Sequence, residues 1–118
     1  MQRLLAMLFS AVLALPGHAA AHALLERSQP AADAHLNSAP DAVRLWFSRA
    51  IEPAFSTVQV RDRDGNPVSQ ERGNVSDQDP KLLQLVLPPL SAGTYKVIWR
   101  IVALDGHEGE GEFSFTLQ

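Results

Sequence analysis

Two places in the chain carry side chains able to hold a metal ion: His22, and the triplet Asp105-Gly106-His107. If His22 is the first residue of the processed chain, it offers two nitrogens at once. Its α-amine and ring Nδ1 close a six-membered chelate, and an amine with an ordinary pKa of about 7.7–8.0 loses its proton to a strong Lewis acid at neutral pH. A second imidazole opposite completes three in-plane nitrogens, a donor set suited to tetragonal copper(II). Asp105 and His107 stand two apart, so in extended backbone their side chains leave the same face. That spacing offers an equatorial nitrogen and an axial oxygen. Each feature also has an ordinary explanation. A terminal His is commonly a frayed residue, and Asp-Gly is a common turn dipeptide that can leave a solvated His behind it. Spacing alone leaves open whether the two places meet.

The amine of His22 exists only if the preceding residues are removed. Arg3 supplies a positive region, Leu4 to Leu15 form an apolar run, Pro16-Gly17 breaks it, and His18-Ala19-Ala20-Ala21 follows. This is the anatomy of a secretory signal peptide, and the run is shorter than the roughly 20 residues that span a bilayer. Ala19-Ala20-Ala21 fits the small-x-small rule and leaves His22 first. Gly17-His18-Ala19 and Ala21-His22-Ala23 fit more loosely, and would leave Ala20 or Leu24 first. The preferred reading is a leader over 1–21 and one exported domain over 22–118, with no membrane span in the mature chain.

Composition narrows the chemistry. The 118 residues include no Cys, which excludes a disulfide framework, a thiolate zinc site and an iron–sulfur site. The only methionines, Met1 and Met7, fall in the leader, so soft donors for copper(I) are missing from the mature chain. A net charge of −3 gives no basic stripe for nucleic acid. Hydrophobic content of 46% with 19% charged residues is that of a chain that folds.

The elements that must position these residues read as strands. Val43, Leu45 and Phe47 alternate with Arg44, Trp46 and Ser48; Val58 and Val60 flank Gln59; Leu83, Leu85 and Leu87 share one side of 81–87. The run 93–102 is the longest, with Tyr95, Val97, Trp99 and Ile101 facing one way. Phe113, Phe115 and Leu117 close the chain, and shorter strands are expected near 24–28 and 67–69. Turn signals stand between these runs, among them Asp64-Gly65-Asn66-Pro67 and Ala92-Gly93. No window of the mature chain shows a helical period with caps. About seven short strands in a chain of this size predict an all-β, immunoglobulin-like sandwich.

The ordered set of motifs resembles the CopC family of periplasmic copper-binding proteins. It comprises His22-Ala23-Leu24-Leu25, Ser28-Gln29-Pro30-Ala31, Leu45-Trp46-Phe47-Ser48, Phe55-Ser56-Thr57-Val58, Asp64-Gly65-Asn66, Ala92-Gly93-Thr94-Tyr95-Lys96-Val97, Trp99-Arg100, Asp105-Gly106-His107 and Gly111-Glu112-Phe113-Ser114-Phe115. The resemblance implies a Greek-key β-sandwich that binds copper(II) through its N-terminal His, with the Asp and His of a D-x-H motif as further ligands. Carried over, the ligand set is His22, Asp105 and His107. It also implies a non-enzymatic, monomeric role in copper tolerance or homeostasis, beside a CopD-type inner-membrane partner. Three departures stand out. The methionine-rich loop of copper(I)-binding members is missing, Arg49 stands where the family often has Glu (with Glu52 three residues on), and Glu108 replaces a frequent Pro after the D-x-H motif.

Other residues read as structural. His35 lies in a polar stretch outside the motif and reads as solvated. Asp62, Asp64 and Asn66 mimic the opening of a calcium loop, but Pro67 and Gly73 stand where its Gly and Glu belong, so a hairpin turn is expected. Glu108, Glu110 and Glu112 alternate in the last strand and read as a solvated stripe, and Trp46 and Trp99 as core or face-covering aromatics. The competing functional reading is a small histidine-brace monooxygenase, for which a mature chain this short leaves little substrate face. A third is an adhesion module whose histidines are incidental.

Overall fold

A computed structural model describes residues 24–118; the expected leader and His22 lie outside the described residues. Eight strands form: β1 (Leu25–Gln29), β2 (His35–Leu36), β3 (Ala42–Phe47), β4 (Thr57–Arg61), β5 (Asn74–Val75), β6 (Leu82–Val86), β7 (Gly93–Val102) and β8 (Glu108–Leu117). Two four-stranded sheets result, ordered β1-β3-β6-β5 and β2-β8-β7-β4. Every pairing is antiparallel except that of β2 with β8. The chain leaves the first sheet after β3, makes β4, returns for β5 and β6, and crosses again to β7. Consequently β6 lies beside β3 and β7 beside β4, the interleaving of a Greek-key sandwich.

The alternating apolar sets point inward as the sequence predicts. Val43, Leu45 and Phe47 from β3, Leu83 and Leu85 from β6, Val58 and Val60 from β4, and Tyr95, Val97, Trp99 and Ile101 from β7 meet in one core. Each fully buried Val, Leu or Phe contributes about 1.5–3 kcal/mol by leaving water. Phe47 meets Trp99 edge to face, with ring centroids 5.2 Å apart. Trp46 points the other way and is covered by the Arg27 guanidinium, 3.9 Å from its ring centroid.

Three details depart from the expected strands. Phe55 ends a 3-10 turn (Pro53–Phe55) instead of opening β4. The expected strand at 67–69 is a single bridge, Arg61 to Pro67. The two-residue strands β2 and β5 were not foreseen, being too short to show a period. As the alternation of Glu108, Glu110 and Glu112 predicts, β8 already begins at Glu108, five residues before its apolar alternation. Gly109 and Gly111 are poor strand formers by type. The extended backbone there is imposed by ten-residue pairing with β7, in register from Gly93–Leu117 to Val102–Glu108.

The crossing between sheets over 48–56 matters most for function, because it ties three parts of the molecule together. The Ser48 N–H donates to the Leu24 carbonyl at 2.7 Å, at the head of β1. The Leu104 N–H donates to the Ala50 carbonyl at 2.9 Å, and the Glu52 N–H to the Val102 carbonyl at 2.7 Å. Ser56 is buried; its hydroxyl donates to the Glu52 carbonyl at 2.8 Å and accepts from the Val102 N–H at 3.1 Å. The start of β1 and the end of β7 are therefore held on neighbouring residues of one segment. Arg49 sits between the two anchor points.

Candidate metal centre

The connection between β7 and β8 is short and folds tightly. The Ala103 N–H donates to the His107 carbonyl at 2.7 Å, and the Gly106 N–H to the Ala103 carbonyl at 2.9 Å. Gly106 takes φ +91°, a left-handed conformation that an L side chain adopts only with strain. Within this turn the Asp105 side chain doubles back, and its Oδ1 accepts the His107 N–H at 3.1 Å. The two side chains thus share a face, but not by the extended backbone that their spacing suggested. An Asx turn brings them together.

The same Oδ1 lies 2.9 Å from His107 Nδ1. An ionised carboxylate only accepts hydrogen bonds, so Nδ1 carries the proton of the neutral ring and Nε2 keeps its lone pair. Asp105 Oδ2 accepts from Arg49 Nη1, a contact that spans 56 residues of sequence. These contacts hold the Asp105 carboxyl well below the usual carboxylate range; the His107 backbone N–H acts most, then the His107 ring, then the Arg49 guanidinium. The three side chains remain at the surface, 61% exposed for His107 and just over two-fifths for the others. What the arrangement supplies is one imidazole fixed in tautomer and direction, with a nitrogen donor turned away from its carboxylate. An acceptor on the far ring nitrogen is how metal-binding histidines are usually oriented.

His22 lies outside the described residues, and among the described residues no three His, Cys, Asp or Glu side chains gather into a metal cage. Of the predicted set, Asp105 and His107 are in direct contact. The residue missed by sequence reasoning is Arg49. Its place directly after Phe47-Ser48 marked it as a departure, but nothing local could tell that it reaches Asp105. Glu52 is held by its backbone at the start of the 3-10 turn, and it is Arg49 that reaches the carboxylate.

The other candidates fall as expected. His35 pairs with Thr116 at the far end of β8, about 30 Å from His107 at ~3.3 Å per strand residue. Glu108, Glu110 and Glu112 are exposed, and Glu112 pairs with Lys96 at 3.8 Å. Asp62 caps a hairpin turn. Among the described residues no helix is long and apolar enough to cross a membrane.

Comparison with known proteins agrees with this architecture. The CopC domain matches residues 25–118. Protein YobA of Escherichia coli K12 is 35% identical over 101 residues, covering 83% of this chain and 80% of its own. A copper resistance protein C of Escherichia coli is 31% identical over 115 residues, covering 91% and 90%. The crystal structure of CopC from Methylosinus trichosporium OB3b superposes with a TM-score of 0.76 at 34% identity, covering 82% of this chain and 94% of that one. A two-sheet Greek-key sandwich, a D-x-H turn at the end of its longest hairpin and a domain match over residues 25–118 lead to one assignment: the protein belongs to the CopC family.

Proposed function

We propose that the chain is an exported, non-enzymatic copper(II)-binding protein that carries or sequesters copper in copper tolerance, with His22, Asp105 and His107 as its site. Family membership supports copper as the ligand and copper resistance as the setting, since relatives are named for both. The oxidation state follows from donor chemistry. Residues 22–118 contain no Met or Cys, so the soft sulfur donors that select copper(I) are missing and the remaining nitrogen donors suit copper(II). Copper is cargo here, taken up and released without chemical change.

The observation that carries the reading is the fixed His107 ring. Its Nδ1 is taken by Asp105, which leaves Nε2 as the donor, and Asp105 is bound by Arg49, the neighbour of the residue that anchors the Leu24 carbonyl. Only two peptide units separate His22 from Leu24, a reach of about 7 Å at most. The α-amine and Nδ1 of His22, with Nε2 of His107, would then supply three nitrogens in one plane. In this reading the protein is a periplasmic monomer, and a CopD-type inner-membrane protein receives or supplies its copper.

The test is to fix the first residue and then displace it. Mass spectrometry of the exported protein should give a chain beginning at His22, binding one copper(II). A variant with one alanine ahead of His22 replaces the amine by an amide and should lose tight binding. Equal affinity in the extended protein would sink the N-terminal chelate.

A further inference from the structure

We propose that Arg49 decides how Asp105 serves the metal: by occupying Oδ2 it withholds the carboxylate from copper and leaves it to orient His107. The inference rests on the copper(II) reading above and assigns a role within that site to a residue on another strand connection.

The geometry has three parts. Asp105 Oδ1 already accepts two N–H groups, the backbone amide of His107 at 3.1 Å and its Nδ1 at 2.9 Å, so both lone pairs of that oxygen are in use. Nε2 lies on the opposite edge of the imidazole from Nδ1. A copper ion bound there is separated from Oδ1 by the width of the ring, and Asp105 in this position cannot reach it. The remaining oxygen, Oδ2, holds the Arg49 guanidinium. A dication sharing Oδ2 would sit against that fixed positive charge and be repelled.

The backbone keeps Arg49 in place. Ser48 is bonded to Leu24 on one side and Ala50 to Leu104 on the other, so the residue between them projects from a segment pinned at both neighbours. The Asp105–Arg49 pair joins the β7–β8 turn to this segment. Losing Arg49 frees Oδ2 and removes a positive charge from the vicinity of the metal. The carboxylate is then able to turn from the imidazole edge and bind copper as an anionic ligand. Arg49 is accordingly a positioning residue that lowers copper affinity, a property fitting a carrier that must give up its cargo.

The experiment uses the processed protein beginning at His22. Copper(II) affinity is measured by competition titration at neutral pH for the native protein, Arg49→Gln, Asp105→Ala and the double variant, with circular dichroism to confirm folding. Arg49→Gln should tighten binding at least about tenfold, because attraction to a bare carboxylate replaces repulsion by a cation. In the Asp105→Ala background the same change should gain less than about threefold, since no carboxylate remains to be released. Arg49→Lys keeps a cation there and should stay near the native value. With aspartate labelled by carbon-13, electron–nuclear double resonance should show carboxylate coupling to copper in Arg49→Gln and none in the native protein. Weaker binding in Arg49→Gln, equal gains in both backgrounds, or carboxylate coupling in the native protein would overturn the proposal while leaving copper binding intact. No specific copper binding by the native protein would overturn both readings together.

Discussion

Two turns of this molecule use nearly the same local chemistry. After β4, Asp62 Oδ1 accepts the backbone N–H groups of Asp64 and Asn66 at 2.9 and 3.0 Å, and Gly65 takes φ +83°. After β7, Asp105 Oδ1 accepts the backbone N–H of His107, and Gly106 takes φ +91°. Both are acidic hairpin turns with a left-handed glycine, the first expected from the sequence as a turn only and the second as part of a metal site. They differ in where the carboxylate spends its hydrogen bonds. Asp62 turns Oδ1 wholly to backbone amides and so closes a turn. Asp105 accepts one amide, one imidazole and one guanidinium, so the turn also fixes a side chain and reaches a second strand connection. Acidic residues beside a glycine make a turn. A donor nitrogen left facing outward makes a candidate site.

The largest break in the comparison should come from His107→Ala, which removes the one oriented nitrogen. Copper(II) affinity should fall by more than the roughly 10–100-fold typical of losing an orienting residue, and the nitrogen hyperfine pattern in electron paramagnetic resonance should change. Asp105→Ala comes next, with a loss inside that range and the nitrogen pattern kept, because the imidazole stays but is free to turn. Asp62→Ala is the control. It should leave copper affinity untouched and cost about 1 kcal/mol of stability for its exposed hydrogen bonds, read by urea unfolding.

A finer contrast lies in the two glycines. Neither has any atom within 4 Å of where a Cβ would stand, so alanine at either meets only backbone strain. Gly65→Ala and Gly106→Ala should each cost roughly 1–2 kcal/mol, the penalty for a left-handed L residue. Only Gly106→Ala should also weaken copper binding, since relaxing that φ moves Asp105 away from His107. Equal copper affinity in both variants would show that the turn does not set the imidazole.

The sandwich was legible because its cause is local. Alternation at Val43-Leu45-Phe47 or Tyr95-Val97-Trp99-Ile101 states which face is buried, and the core follows. The first half of β8 was legible only through the alternation of Glu108, Glu110 and Glu112, since Gly109 and Gly111 carry no apolar period and take their conformation from β7. The site divides the same way. Asp105 and His107 are two residues apart, so their association could be read from the triplet, although it is made by a turn and not by a strand. Arg49 meets Asp105 only because the crossing at 48–52 is bonded to both Leu24 and the end of β7, a tertiary fact with no pattern along the chain.

The smallest expected effect is in acid, and it isolates the carboxylate of Asp105. Its folded-state pKa is depressed by the His107 amide, the His107 ring and Arg49, whereas in the unfolded chain it titrates near about 3.9. A depressed carboxylate binds fewer protons folded than unfolded, so its contribution to stability is full above about pH 4–5 and lost as pH falls through the folded value. The stability gap between the native protein and Asp105→Ala, from urea midpoints, should therefore be flat from pH 7 to about 5 and narrow steadily below about pH 4. Because the group sits at the surface, the gap itself should be modest even at pH 7. Asp105→Asn should follow the alanine variant in lacking the acid dependence, while keeping an oxygen able to accept from the His107 amide. A gap that stayed constant down to pH 2 would mean that the contacts to His107 and Arg49 do not persist in solution, and the distinction drawn between the two turns would lose its basis.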